Sequence, residues 1–400
     1  MSYKYLLDLA LILLSTKVLS LVTKRFKLPQ VVGALLAGLI LGPAMLNIIH
    51  ETDFIKQLAE LGVIVLLFTA GLESDISQFK KTGKASFIVA CLGVLVPLIG
   101  GTIIGYFFNN GEITNVSKFV QNIFIGSVLT ATSVSITVET LKELGKISTD
   151  VGNVIIGAAI IDDILGMFVL TVITSMADSS VNVAIVALKI IGFLFFAAIA
   201  GVLTYKLYNR WVRKYDMDKR RFVIAAFVIC LLLAFSAEEF FGVADITGAF
   251  LAGIVLSGNK ESKYITRRFE ALSYMILSPV FFASIGLSVK LPSFDSKLIL
   301  LSIILIVVAM ATKIIGCGLG AKVCGYTNME SIQVGTGMIS RGEVTLIIAS
   351  KGLSLGLMSN YFLTPVILMV VLTSIFTPIL LKVVFSKDKS KVDFIENNKV

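Results

Sequence analysis

Apolar runs of about twenty residues recur from one end of this chain to the other, and few folds can accommodate that. A helix needs about 20 apolar residues to cross the hydrocarbon core of a bilayer. In lipid, every backbone polar group must be satisfied inside a helix or a closed barrel. Thirteen such spans can be counted, near residues 3–22, 29–48, 57–73, 85–108, 119–141, 151–175, 182–207, 220–237, 243–258, 271–289, 298–321, 329–353 and 361–383. Charged residues make up only 15% of the 400, against about 25% in a soluble domain. The expected fold class is an all-α polytopic membrane protein of about 13 transmembrane helices, with no long polar segment to form a soluble domain. The first run is read as a retained span rather than a signal peptide. Lys17 interrupts it, and its basic cluster (Lys24, Arg25, Lys27) follows it instead of preceding it.

The net charge of +9 belongs to the loops and argues for topology, not for nucleic-acid binding. The segments KRFK (24–27), KKTGK (80–84), KELGK (142–146), NRWVRKYDMDKRR (209–221), KESKYITRR (260–268) and the tail after Lys382 lie on one side. Together they carry about two dozen Lys and Arg, against about half a dozen on the other side. The expectation is a multi-pass protein of the cell (plasma) membrane, with the N-terminus outside and the C-terminus cytoplasmic. The four cysteines (Cys91, Cys230, Cys317, Cys324) lie in or near spans without the spacing of a zinc site, and His50, the single histidine, falls in a short loop.

An internal repeat is visible. VVGALLAGLIL (31–41) resembles ITGAFLAGIVL (246–256), FTAGLE (68–73) resembles FASIGLS around Gly286, and PLIGGTIIG (97–105) resembles TKIIGCGLG (312–320). Gly33, Gly38, Gly71, Gly101 and Gly105 answer Gly248, Gly253, Gly286, Gly316 and Gly320, all at an offset of 215 residues. Seven spans, an odd number, lie within that offset, so each copy crosses in the opposite sense to its partner. The chain then reads as one transporter domain (1–385): repeat one at about 3–175, a linker helix at about 182–207, repeat two at about 220–383, and a short cytoplasmic tail (386–400). An inverted repeat of six plus six helices is a secondary-transporter architecture, with the site near the midplane where the repeats meet.

Two adjacent aspartates, Asp162 and Asp163, sit inside span 6, in GAAIIDDILG (157–166). Ionisable residues at membrane depth cost at least a few kcal/mol and mark a functional site by default. Span 5 carries a dense run of hydroxyls and β-branched residues (Thr130, Thr132, Ser133, Ser135) followed by Glu139, and its repeat partner, span 12, is interrupted by Gly335, Gly337, Arg341, Gly342 and Glu343. Interruptions in corresponding halves point to broken helices at a binding site. The freed carbonyls could bind a small cation, and the half-helix ends carry partial charges of both signs. The bland alternative is that these hydroxyls back-bond within intact helices. Lys313 lies deep in span 11, too deep to snorkel, and needs a carboxylate; Asp162 and Asp163 are the obvious candidates. Arg341 and Glu343 read as supporting charges that neutralise broken-helix ends or pair with Glu139.

Together these features resemble a bacterial sodium/proton antiporter, in the NapA-like branch of the cation:proton antiporter-2 family, over about residues 3–385. The family's Kef-type relatives carry a cytosolic nucleotide-binding domain, which the tail after the last span leaves no room for. The resemblance implies two crossed broken helices in spans 5 and 12. It gives Asp163 the role of ion-binding carboxylate and Asp162 that of a neighbour paired with Lys313, both able to take part in holding Na+. Thr130, Thr132 and Ser133 match the crossover of span 5. It also implies a homodimer with a dimerisation panel and a moving core.

The expected activity is secondary active exchange of a monovalent cation (Na+, with Li+ or K+ open) for protons across the bilayer. No covalent catalysis and no cofactor are expected, and the partners are the transported ions, the lipid bilayer and a second copy, not nucleic acid. A poorly solvated carboxylate that holds either a proton or a sodium ion, but not both, gives exchange by competition, and alternating access carries either loaded state across. If Lys313 leaves Asp162 when sodium binds, a second proton can be counted and exchange is electrogenic. A potassium/proton antiporter, a channel-like efflux protein and a sodium-coupled solute symporter on the same scaffold are the alternatives.

Overall fold

The structure, a computed structural model, describes residues 3–26, 28–74, 76–109, 116–177, 182–214, 219–289 and 296–397, without the side chains of 76–80, 213–214, 296–297, 343 and 387–397. The described residues are helical almost throughout. In chain order the helices are α1 (Lys4–Arg25), α2 (Gln30–Leu41), α3 (Asp53–Glu73), α4 (Ile76–Phe108), α5 (Lys118–Val128), α6 (Val134–Glu143), α7 (Asp150–Ala177) and α8 (Val183–Lys214). They continue with α9 (Lys219–Phe241), α10 (Asp245–Ser257), α11 (Ser262–Leu272), α12 (Ser278–Leu287), α13 (Ser296–Val323), α14 (Asn328–Gly337), α15 (Glu343–Ser354) and α16 (Leu363–Asn397). Every predicted span falls on one of these helices or on a pair. Among the described residues, nine helices are long and apolar enough to cross a membrane, counting α11 and α12 as one continuous rod.

The departures from the predicted spans have local causes. The second span stops at Leu41, because Gly42 is extended and Pro43 follows. Between α11 and α12 the ladder slips into a π-turn, Ser273–Leu277. Pro279 at the start of α12 has no N–H to give a carbonyl one turn back, which favours such a slip. The last helix runs on to Asn397, into the region expected to be a tail.

Packing repeats at the sequence offset. Helix α1 lies on α2 as α9 lies on α10, and α2 lies on α12 as α10 lies on α3. Helices α5 and α7 flank α4 as α14 and α16 flank α13, while α4 and α13 lie against each other. The repeated glycines explain how. A Cβ at Gly38 would overlap the backbone of Ala283, and one at Gly253 would overlap that of Phe68, the equivalent position in the other copy. Gly33 lies as close to Leu19 and Ser20 as Gly248 does to Leu233 and Ala234. Bare backbone lets apolar helices touch where lipid leaves no hydrophobic drive between them.

Two bodies result. Helices α1–α3 and α9–α12 pack as a panel, and α4–α7 with α13–α16 pack as a core. They meet mainly where α6 touches α3 and α2 and α16 touches α2, and α8 bridges them by touching α7 on one side and α9 and α10 on the other. Helix α8 has few buried residues: Phe193, Tyr208 and Val212 pack inward, while Leu188, Leu194, Phe195 and Ile199 are exposed.

Candidate functional site

The two interrupted spans break in the middle of the core. Helix α5 ends in turn bonds from Leu129 and Thr130 back to Gly126 and Ser127, and the Thr130 hydroxyl also donates to Ser127 O (2.7 Å). Ser and Thr side chains that bond nearby backbone compete with the helical ladder. The chain is extended at Ser133, and α6 starts at Val134. In the partner span, α14 ends at Gly337 and α15 begins at Glu343. The two breaks cross and are tied to each other. Ser133 N donates to Ser340 O (2.8 Å), the Ser340 hydroxyl donates to Ser133 O (2.6 Å), and the Thr137 hydroxyl donates to Gly337 O (2.7 Å). At Gly342 a Cβ would sit 2.8 Å from Ser133 Oγ, so a side chain there would force the Ser133 side chain to shift where the two segments cross.

Each broken helix leaves unsatisfied carbonyls and partial negative charge at its C-terminal end. One residue answers both ends. The Arg341 guanidinium, fully buried, donates to Leu129 O (2.8 Å) at the end of α5 and to Ile339 O (3.0 Å) and Met338 O (3.3 Å) beyond α14. It also reaches Ala309 O on α13 (3.3 Å). Its own backbone is held by α16, through Thr373 and Ser374.

Helix α7 passes beside the crossing with the two aspartates at its midpoint. Asp162 is 1% exposed; its Oδ1 accepts from Lys313 Nζ (2.7 Å) and its Oδ2 from the Thr132 hydroxyl (2.8 Å). Lys313 is fully buried on α13, so the pair is an ion pair removed from water. Breaking such a pair is strongly destabilising because it strands a buried charge. Asp163, one position on, is half-buried, and its Oδ2 is a buried oxygen with no partner among the described residues. Buried polar atoms are normally paired, and an orphaned carboxylate oxygen is where a cation or a proton has room to bind.

The structure thus brings together Asp162, Asp163, Lys313, Thr132, Ser133 and Arg341. Thr130 back-bonds and faces α7 at Gly166, and the Ser133 hydroxyl lies 3.3 Å from that of Ser135. Glu139 lies elsewhere. It shares no hydrogen bond or ion pair with Arg341 among the described residues; the guanidinium's two terminal nitrogens donate to backbone carbonyls instead. Glu139 instead lines a cavity of about 660 Å³ on the side of the basic loops, between α6 and the panel, with Lys17, Lys142, Glu143, Glu270 and Tyr274. There Lys142 bridges Glu73 (2.8 Å) and Glu270 (3.3 Å), and Glu143 accepts from Gln30 N at the start of α2 (2.9 Å). Glu73, at the end of α3, thus pairs with Lys142 across the seam. Asp75 lies outside the described residues, as do the side chains of Lys80 and Glu343. Sequence reasoning missed Thr137 and Ser340 as ties between the crossed breaks. Their hydroxyls inside interrupted spans were the available signal.

Crossed broken helices, close glycine-packed repeats and a buried carboxylate pair with one lysine define a secondary transporter of small cations. Residues 10–387 match the family of the transmembrane sodium/hydrogen exchanger, and the chain belongs to that family. It is 36% identical over 392 residues to the Na(+)/H(+)-K(+) antiporter GerN of Bacillus cereus, covering 98% of this chain and 99% of that one. It is 39% identical over 384 residues to the probable Na(+)/H(+) antiporter GerT of the same organism (94% and 98%) and 37% identical over 385 to a Na(+)/H(+) antiporter of Enterococcus hirae (94% and 96%). The fold matches the structure of the sodium proton antiporter MjNhaP1 from Methanocaldococcus jannaschii, with a TM-score of 0.66, 19% identity and 94% of each chain covered.

Proposed function

We propose that the protein exchanges Na+ for protons across its membrane by alternating access, with Asp163 as the exchanging carboxylate. It is a transporter, not an enzyme, and a multi-pass membrane protein. The observation that carries the site assignment is the inequality of the two aspartates. Each oxygen of Asp162 accepts one hydrogen bond, from Lys313 and from Thr132, whereas Asp163 keeps a buried oxygen without a partner among the described residues. A sodium ion on Asp163 would find hydroxyls and freed carbonyls of the crossover close by, and a proton there would neutralise the same charge. The two loads exclude each other, which couples their movements. An empty site leaves bare charge at mid-membrane, which opposes transit unloaded.

Asp162 and Lys313 act as a second, coupled element: release of the lysine when sodium binds would allow two protons per sodium and electrogenic exchange. Arg341 keeps the crossing assembled, with Glu343 near it in sequence. Thr130 and Ser133 supply oxygens at the crossing, and Glu139 serves the approach from the cavity beside α6. Alternation is movement of the core against the panel along their thin seam, within a single domain made of two inverted repeats. The panel also offers the surface for a homodimer in the plasma membrane, with the basic loops and C-terminus in the cytoplasm. The relative named a Na(+)/H(+)-K(+) antiporter keeps potassium as a second cation to test.

The deciding experiment is dissipation of a pH gradient in everted vesicles on adding Na+, Li+ or K+, with Asp163→Asn as control. Sodium-dependent dissipation that the substitution abolishes supports the reading; an unaffected mutant overturns the assignment. Liposome transport that neither generates nor responds to a membrane potential overturns electrogenicity.

A further inference from the structure

The wall behind the Asp162–Lys313 pair is built from two residues that no carboxylate or hydroxyl argument selects. Helices α4 and α13 approach most closely around Lys313. Gly316 lies against the backbone of Leu92, Gly100 against Thr312, and Gly320 against Val89. In the middle of this contact is Gly93. A Cβ there would lie 2.6 Å from Cys317 Sγ and 3.6 Å from both Asp162 Oδ1 and Lys313 Nζ. Cys317 is fully buried and stands one helical turn beyond Lys313 on the same face of α13. The pair therefore has polar partners on one side, through Thr132, and bare backbone with a sulfur on the other. A methyl added to this backbone would strike the Cys317 sulfur while touching both members of the pair.

We infer that Gly93 and Cys317 are positioning residues for the exchange site: the naked backbone of α4 and the thiol of α13 close the far side of the Lys313 ammonium, leaving Asp162 as its single carboxylate partner and the crossover side as its single way out. The inference rests on the reading of Asp162 and Lys313 as part of the exchange site. It adds that the fit of α4 against α13, which no charged residue reports, sets how firmly the lysine is held.

The test compares the pH profile and apparent Na+ affinity of exchange for Gly93→Ala, Cys317→Ala and the double variant, at equal protein amounts in vesicles. An added methyl in a filled contact displaces its neighbours. Gly93→Ala is expected to move the half-maximal pH by about half a unit or more and to weaken apparent Na+ affinity at least about threefold. Adding Cys317→Ala removes the sulfur the methyl strikes, so the double variant returns toward the parent; this non-additivity is the signature of a shared contact. A Gly93→Ala protein with the parent's pH profile overturns the inference, and so does a double variant as impaired as Gly93→Ala. Should Gly93→Ala fail to accumulate, Cys317→Ser takes its place. It keeps the size and adds a hydroxyl that can bond Lys313, and an unmoved pH profile is again fatal. Failure of the underlying reading looks different: exchange would survive Asp163→Asn. Failure of this inference alone leaves exchange dependent on Asp163 and indifferent to Gly93.

Discussion

The two copies of the repeat have aged differently in the panel and in the core. In the panel, α2 and α10 keep the same glycines at the same offset and make the same backbone contacts with equivalent neighbours. In the core, the equivalent broken spans have become unlike each other. The first contributes hydroxyls, with Thr132 on Asp162 and Thr137 on Gly337 O, whereas the second contributes the Arg341 guanidinium. Close packing in lipid asks the same thing of both copies, a missing side chain, so the residues stay alike. A crossing of two helix ends is served by one cation shared between them, as the Arg341 guanidinium is shared between Leu129 O and the carbonyls of Met338 and Ile339. Symmetry is kept where the demand is steric and lost where it is electrostatic.

The largest effect that can break this comparison is at Asp163. Asp163→Asn is expected to abolish sodium-dependent proton movement while leaving the melting temperature in detergent close to the parent's, since no hydrogen bond of Oδ2 is lost. Next comes Arg341→Ala. Each buried carbonyl left without a donor costs about 1–3 kcal/mol, and three lose theirs, those of Leu129, Met338 and Ile339, while Ala309 O keeps the Thr312 hydroxyl. A sharp fall in thermal stability is expected, with Arg341→Lys recovering only part of it because an ammonium lacks the planar fork.

The panel makes the contrasting prediction that its two copies respond alike. Gly38→Ala and Gly253→Ala should each destabilise by about 1–3 kcal/mol or more, through overpacking against backbone. Melting curves that differ clearly between the two would break the claim of steric equivalence. Within the core, Thr132→Val removes one hydrogen bond to a charged acceptor, worth about 1.5–3 kcal/mol. A loss of about tenfold or more in apparent Na+ affinity is expected, whereas Ser135→Ala should do much less. The smallest effect is at the seam: Lys142→Met breaks bridges to Glu73 and Glu270, which are 19% and 42% exposed. Such pairs contribute about 0–1 kcal/mol, so stability should hardly move, and a large drop would show that the seam is stiffer than its packing indicates.

Much of this was legible before any coordinates. The apolar runs set an all-helical membrane protein because lipid leaves the backbone no other partner than its own helix. The 215-residue offset foretold the paired packing, since glycines at close approaches are irreplaceable by any side chain. The aspartate pair, the deep lysine and the interrupted spans marked the candidate site because charge at membrane depth needs a reason. Pairings were less legible. Glu139 and Arg341 both carry charge near the breaks, yet Arg341 turned to carbonyls and Glu139 to the cavity, since backbone acceptors do not show in a string of letters.

What the sequence determined by itself was therefore the inventory: which helices exist, which positions must be bare, and which charges must be reconciled inside the bilayer. The residues alone left both aspartates open to Lys313 and the family resemblance assigned Asp162; the tertiary structure supplied the contacts themselves, with Asp162 on Lys313 and Thr132 and a buried Asp163 oxygen without a partner among the described residues. Asp162 and Asp163 are chemically identical and one residue apart, but successive helical positions point about 100° from each other. That rotation turns Asp162 toward Lys313 and Thr132 and leaves Asp163 with an oxygen to offer.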